Sequence, residues 1–231
     1  MLQLDRATAD LGGFRLSADL TLEAGARYAV IGPSGSGKST LLGMVAGFVP
    51  LASGRVIWEG RDLGGLPPGK RPVSILFQDQ NLFPHLDVAQ NVGLGLRPDL
   101  RLDAGQHRAV ADALRQVGLD GLAQRRPAQL SGGQQSRVAL ARVLLRARPV
   151  LLLDEAFAAL GPALKSEMLA LLSRIADETG ATVLMVTHDP ADARAFAEST
   201  VLVAEGAAHP PQPTAALLDN PPELLRAYLG V

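Results

Sequence analysis

The sequence predicts an α/β protein with a mostly parallel core sheet covered by helices, and three observations carry that prediction. Strand-like and helix-like segments alternate through most of the chain, the pattern of a covered parallel sheet. Val150-Leu-Leu-Leu153 is apolar on both faces, as a central strand packed between helix layers must be. Between an apolar strand and a helix lies Gly32-Pro-Ser-Gly-Ser-Gly37-Lys38-Ser39, a glycine-rich connection of the kind that opens a phosphate-binding helix.

Taken in order, the segment from Leu2 to Val30 alternates irregularly between apolar and polar residues around Gly12, Gly13 and Gly25, as in short strands joined by tight turns. Arg27-Tyr-Ala-Val-Ile31 reads as a buried strand. Leu41, Leu42, Met44 and Val45 give Ser39 to Ala46 helical spacing. Gly54 to Trp58 and Val73 to Phe77 are further strands, separated by a turn-rich stretch at residues 64–69. From Asp87 to about Ala147 the character is helical. Ala109, Val110, Ala113, Leu114 and Val117 share one face of a segment opened by Asp103, and a second helix is expected from Gln135 to Ala147. A helix from about Pro162 to Glu178, a strand at Thr182 to Val186, a helix after Pro190 and a strand at Thr200 to Ala204 follow. The proline-rich tail beyond Gly206 is expected to end in a short helix from Pro221 to Leu229. The expectation is one domain over residues 1–231, with a helical subdomain at about 87–147 inserted in its core.

Composition narrows the function classes. Apolar residues at 47% and charged ones at 19% are those of a globular protein, not a disordered one. With 22 basic and 23 acidic side chains the net charge is -1, which lacks the broad positive footprint of non-specific nucleic-acid binding. The absence of cysteine excludes disulfides, thiolate metal sites and thiol nucleophiles. The start MLQLDRATAD has early acids and no apolar h-region, so no signal peptide is expected, and no apolar run approaches the roughly 18 residues of a membrane span. Any membrane role is expected to come through a partner.

Gly32 to Ser39 fits the spacing G-x-x-x-x-G-K-[ST] and sits between a predicted strand and a predicted helix, the context this motif requires. Backbone amides of Gly32, Pro33, Ser34, Gly35, Ser36, Gly37 and the first helical residues through Thr40 form the expected cradle, proline contributing shape but no N–H. Lys38 supplies a point charge to the β and γ phosphates, and the Ser39 hydroxyl is a ligand for Mg²⁺. A second site lies at the end of the strand Val150 to Leu153, where Asp154 and Glu155 follow at the edge that binds ligands in parallel sheets. Asp154 can face the Mg²⁺ held by Ser39, usually through water, while Glu155 can orient or deprotonate an attacking water. A third stretch, Leu130-Ser131-Gly132-Gly133-Gln134, places a hydroxyl and two glycines at a helix start suited to an anion.

Taken in this order, the three motifs resemble those of the ABC transporter ATPase family, and the resemblance covers nearly the whole chain. It implies the P-loop ABC ATPase fold, with a mostly parallel core sheet, an N-terminal antiparallel β part and a helical subdomain. It further implies that Gln78 is the Q-loop glutamine, catalytic and a third Mg²⁺ ligand beside Ser39 and Asp154, that Glu155 is the catalytic carboxylate and that His188 is the switch histidine. ATP and Mg²⁺ are the implied cofactors. The implied assembly is a head-to-tail homodimer with two ATP molecules between subunits, so that Ser131, Gly132, Gly133 and Gln134 act on the partner's nucleotide. An integral-membrane permease would dock on the residues after Gln78, including Leu82, Phe83, Pro84 and His85. A periplasmic solute-binding protein would act through that permease, and no nucleic acid is implied. The location implied is peripheral, on the cytoplasmic face of the bacterial inner membrane. Arg71-Pro-Val-Ser-Ile-Leu-Phe-Gln78, Asn81-Leu-Phe-Pro-His-Leu86 and Val88-Ala-Gln-Asn-Val-Gly-Leu-Gly-Leu96 are similar to the thiamine-importing branch of that family. The resemblance therefore implies an importer of thiamine or its phosphates; other readings are an importer of another small solute, a soluble ABC ATPase acting on nucleic acid or ribosomes, or an ATP-gated clamp.

The chain departs from the family pattern in three places. Pro-Phe-Ser-Ala-Leu-Asp is usual after the catalytic glutamate, whereas this chain has Ala156-Phe-Ala-Ala-Leu-Gly161 and so lacks the D-loop carboxylate that couples the two sites. An adenine-stacking aromatic is expected near residue 11, where Leu11 stands with Phe14 three residues on. Gln135-Ser136-Arg137 replaces the usual Arg-Gln-Arg while keeping its last arginine.

Overall fold

The computed structural model describes residues 1–79 and 81–229. Leu2–Asp10 (β1) and Arg15–Leu22 (β2) pair as an antiparallel hairpin, and Arg27–Ile31 (β3) leads through the glycine-rich loop into Lys38–Ala46 (α1). Ser53–Trp58 (β4) and Arg61–Asp62 (β5) extend the hairpin before Val73–Phe77 (β6) enters the second part of the sheet. Val88–Gly93 (α2), Ala104–Gln116 (α3) and Gly132–Leu145 (α4) form the helical stretch. Val150–Asp154 (β7), Pro162–Thr179 (α5), Thr182–Val186 (β8), Pro190–Phe196 (α6) and Ser199–Ala204 (β9) restore the alternation. The tail holds Ala207–Ala208 (β10), Gln212–Pro213 (β11), Thr214–Asp219 (α7) and Glu223–Leu229 (α8).

The strands follow the order β5-β4-β1-β2-β10-β9-β3-β8-β7-β6, with β11 on β9. From β9 to β6 all pairs are parallel, from β5 to β2 all are antiparallel, and β10 joins the two parts by pairing parallel with β2 and antiparallel with β9. The burial patterns explain the division. β2 alternates strictly between exposed and buried positions, the signature of a sheet with one wet face, whereas β8 is buried at every position.

Two apolar clusters flank the sheet. One joins β1, β2 and β4 to α1, whose Leu41, Leu42, Met44 and Val45 are all at most 1% exposed, so this helix is enclosed between the two halves of the sheet. The other runs from the opposite strand faces through α2, α3, α4, α5 and α6, so the helical stretch shares the sheet's core and builds none of its own. Buried Arg71 closes the far end of α1: its guanidinium donates to the carbonyls of Met44 and Val45 at 2.9 Å each and to that of Leu66 at 3.1 Å, placing positive charge on the helix C-terminus.

Where sequence and structure differ, local chemistry gives the reason. α4 begins at Gly132, three residues before the expected Gln135, because the Ser131 hydroxyl accepts from the Gln134 amide at 3.3 Å and the Gln134 side chain accepts from the Ser131 amide at 3.0 Å. Only one short helix, from Pro221 to Leu229, is read in the tail; the structure starts it at Glu223 and adds α7, which Leu217 and Leu218 anchor in the core.

Candidate nucleotide-binding site

Sheet register assembles the site. Phe77 is paired with Asp154, Asp154 with Val186, and Val186 with Val30, so β6, β7, β8 and β3 end at one level. The residues just beyond those ends are Gln78, Glu155, Thr187–His188 and Gly32, and they emerge along one edge, where ligands bind in parallel sheets.

The loop at residues 32–37 needs its glycines for space as well as conformation. Gly32 has φ 153° and a Cβ there would stand 2.0 Å from the Val203 carbonyl oxygen; Gly37 has φ 104° and its Cβ would stand 2.8 Å from the Phe14 ring. Gly35, also at positive φ, and Ser34 are exposed at the tip of the loop; Pro33 is half-buried, as is Thr40 in the first turn of α1. Gly37 caps α1 without a side chain, which leaves the first-turn amides directed at whatever the loop encloses. The Ser36 hydroxyl is buried without a protein partner, an orphan that a bound phosphate oxygen would satisfy.

Lys38 is 7% exposed and its ammonium donates to the carbonyls of Gly32 and Pro33 at 2.8 Å each. Burial lowers its pKa, opposed by the carboxylates of Glu155 and Asp154. The Ser39 hydroxyl donates to Asp154 Oδ1 at 3.0 Å. Burial pushes the Asp154 carboxyl above its ordinary range; the Ser39 bond opposes this and nearby Glu155 adds to it. A hydroxyl and a raised carboxylate side by side, with the Gln78 amide lining the same cleft, are hard oxygen donors of the kind Mg²⁺ takes beside phosphate oxygens. Among the described residues there is no cluster of three or more His, Cys, Asp or Glu that would form a competing all-protein metal cage.

Ser39, Phe77, Gln78, Asp79, Asp154 and Glu155 line this cleft. Glu155 sits at φ 48°, a left-handed conformation that non-glycine residues adopt at a cost, and its Oε2 lies 3.6 Å from His188 Nδ1. The structure thus brings Gln78, Asp154, Glu155 and His188 to the loop at residues 32–40. It does not bring Ser131, Gly132, Gly133 and Gln134 there: among the described residues, no hydrogen bond or ion pair joins the two groups. Ser131 and Gly132 are exposed, Gln134 half-buried, and Gly133 buried where a Cβ would meet the Leu164 side chain at 2.3 Å, so α4 and α5 approach closely at this glycine.

Of the two residues named at the adenine side, Leu11 is 45% exposed, while Phe14 lies against Gly37 and is the aromatic beside the glycine-rich loop. Sequence reasoning missed other contributors. Lys165 of α5 pairs with Asp189 at 3.1 Å and Asp192 at 3.2 Å, and the Thr187 hydroxyl donates to Asp192 at 3.0 Å, a network around the loop that bears His188. Its sequence signal was Asp189-Pro190, a capping acid before a proline at the first helical position. Past Gln78, wholly buried Asn91 binds the main chain of Phe83, Leu86 and Asp87, so the loop keeps its shape while Phe83 remains 47% exposed.

Comparison with known proteins agrees with this geometry. A family model described as ABC transporter matches residues 16–158. The thiamine import ATP-binding protein ThiQ of Cereibacter sphaeroides is 66% identical over 230 residues, covering 100% of both chains, and that of Ruegeria sp. strain TM1040 is 57% identical with the same coverage. Among solved structures, the post-hydrolysis dimer of the ATP-binding cassette MJ0796 bound to ADP and Pi aligns with TM-score 0.79 at 30% identity, over 93% of this chain and 99% of that one. A second dimeric structure of MJ0796, described as a bacterial ABC transporter cassette, aligns with the same TM-score at 29% identity.

Proposed function

We propose, on the premise that this chain belongs to the ABC transporter family and carries its ATPase fold, that it is the ATP-hydrolysing subunit of a bacterial importer of thiamine or its phosphates. The observation that carries the catalytic half is the meeting of Glu155 and His188 beside the loop at residues 32–40. The 66% identity to a thiamine import ATP-binding protein over the whole chain supports the cargo.

In this reading Lys38, the amides of residues 33–40 other than Pro33, and the Ser36 hydroxyl bind the ATP phosphates. Ser39, Asp154 and Gln78 would hold Mg²⁺, which supplies charge neutralisation on the phosphate oxygens. Glu155 orients or deprotonates the attacking water, and His188 holds its imidazole within reach of that carboxylate. Phe14 offers its ring to the adenine side of the loop. Ser131, Gly132, Gly133 and Gln134 of a second subunit close over the γ-phosphate, making a head-to-tail homodimer. ATP favours the closed dimer and hydrolysis releases it, a population shift passed to a membrane permease through the loop carrying Phe83. A periplasmic solute-binding protein delivers cargo to that permease. The chain acts as one ABC ATPase domain over residues 1–231 with its helical insert at 87–147. Among the described residues no helix is long and apolar enough to cross a membrane, consistent with peripheral attachment at the cytoplasmic face.

The test measures ATP hydrolysis by the purified chain against protein concentration, with Glu155→Gln as the blank. A rate per subunit that climbs with concentration and vanishes in the variant is expected; equal rates in both would overturn the ATPase assignment. ATP-dependent uptake into vesicles carrying the chain with its permease and binding protein decides the cargo: uptake of another solute and none of thiamine would overturn it.

A further inference from the structure

The loop bearing His188 is held from a direction that none of the motifs supplies. The His188 side chain is 56% exposed, so packing does not fix it; its orientation depends on its own main chain. On one side the Thr187 amide donates to the Val30 carbonyl at 3.2 Å, and Asp189 caps α6 while pairing with Lys165. On the other side the Tyr228 hydroxyl donates to the His188 carbonyl oxygen at 2.8 Å, across 40 residues of sequence.

Tyr228 is delivered there by α8, and α8 is anchored. Leu225 has no exposed surface and joins the core cluster, with Leu224 and the Tyr228 ring packed against the same cluster. Arg226 Nε donates to the Pro221 carbonyl at 2.9 Å, fixing the entry of the helix, and the Arg194–Asp219 ion pair ties α6 to the end of α7 just before it. The tail is therefore a brace with its base in the core and its tip on one carbonyl. Burial, then the carboxylates of Glu155 and Asp189, push the phenol pKa upward, so the hydroxyl remains a donor.

We propose that Tyr228 is a positioning residue for His188, its hydroxyl fixing the carbonyl of the switch loop so that the imidazole stays directed at Glu155. The proposal rests on the reading of Glu155 and His188 as the catalytic pair. Displacement of the His188 carbonyl shifts the main chain at its Cα, from which the imidazole extends, and misplacement of a catalytic group by about 1 Å is enough to cost turnover. Tyr228 does not reach the phosphate loop by any bond of its own, so its loss is expected to spare nucleotide binding.

Tyr228→Phe keeps the ring and removes only the donor. In the full chain we expect kcat to fall about five-fold, the loss of one ordinary hydrogen bond, with KM for ATP unchanged within about two-fold. In the nucleotide-free chain, the NMR signals of the His188 imidazole, identified through His188→Ala, should shift and broaden while those of His85, His107 and His209 stay in place. Unchanged kcat with unmoved His188 signals would overturn the proposal. So would a parallel change in kcat, KM and all four imidazoles, which would mark a general loss of structure. Should the wild-type chain fail against its Glu155→Gln blank, the ATPase reading falls while the imidazole spectra still decide whether Tyr228 holds His188.

Discussion

At the scale of single residues, the proposed mechanism divides the work between Lys38, for binding, and Glu155, for chemistry. Lys38 is buried, and its ammonium already sits in the concavity of the loop on the carbonyls of Gly32 and Pro33. Its positive charge acts on a phosphate whether or not bonds are breaking, so Lys38→Ala should weaken ATP binding by about 100-fold, a loss of about 3 kcal/mol typical of a charge-assisted contact. Glu155 stands outside that concavity, at the end of β7 and facing His188. Glu155→Gln should leave ATP affinity within about three-fold of the parent and lower kcat by at least about 100-fold, as removal of a general base does. Fluorescent-nucleotide titration beside steady-state hydrolysis measures both; equal loss of binding in the two variants would refute the division. The loop at residues 32–40 and the Asp154–Glu155 pair were legible in the sequence because each carries a local signature, a glycine spacing or an acid pair after an apolar run, whereas Gln78 and His188 were named only through the family resemblance. Phe14 was named in the sequence only as a neighbour of Leu11, because its contact with Gly37 depends on the β1–β2 turn, which no spacing along the chain encodes. Tyr228 was invisible for the same reason, lying 40 residues from the carbonyl it binds.

At the scale of elements, Gly161 leaves the start of α5 without a side-chain cap. It is the residue before the first turn of α5, with φ -64° and ψ 157°, the extended conformation that Ser, Asp and Asn adopt when they cap. No capping bond is made there, and a Cβ would meet nothing within 4 Å, so neither conformation nor space requires glycine. Gly161→Asp should therefore stabilise the fold by about 0.5–1 kcal/mol, from a side-chain acceptor for the first-turn amides and a negative charge at the positive end of an 18-residue helix. For a chain of this size that is a rise in Tm of about 1–4 °C; calorimetry showing a fall instead would mean that the position is crowded. Elements were legible where periodicity or caps were strong: β6 and β8 fall where alternation and apolar runs place them, and Asp103 opens α3. The start of α4 was misplaced because glycine at positions 132 and 133 lowers helix propensity, and only the reciprocal Ser131–Gln134 bonds offset it. Helix α7 and strands β10 and β11 are too short to show a period and exist because the sheet and core accept them.

At the scale of the whole molecule, the proposed dimer requires that one chain hold two half-sites. The loop at residues 32–40, Glu155 and His188 share one edge of the sheet, whereas Ser131 to Gln134 cap α4 and present Ser131 and Gly132 to solvent without touching that loop. In the proposed head-to-tail dimer, this helix start meets the partner's phosphate loop across a two-fold axis, where each surface meets its counterpart twice. The head-to-tail dimer then makes a prediction that a self-sufficient subunit does not. Lys38→Ala spoils the phosphate loop and Ser131→Arg blocks the helix start, so each variant alone should be inactive. Mixed one to one, about half of the dimers combine both variants, and in these one composite site has an intact loop and an intact Ser131 while the other has neither. Activity should return to about a quarter of the parent rate, since half of the dimers carry one working site out of two. Gly161 bears on whether that single site can turn over. With no carboxylate at the start of α5 to link one site to the other, independent turnover is expected, so recovery should be close to the full quarter, and adding Gly161→Asp to both variants should lower it. A mixture that stays as inactive as its components would place Ser131 and Lys38 in the same site of the same subunit, or make two intact sites obligatory; the double variant carrying both changes on one chain, mixed with parent chain, separates these. Under independent sites shared across the dimer, the mixed dimers in that mixture have one lesion in each site and add nothing to the parent dimers, whereas sites within a subunit would leave every parent chain active.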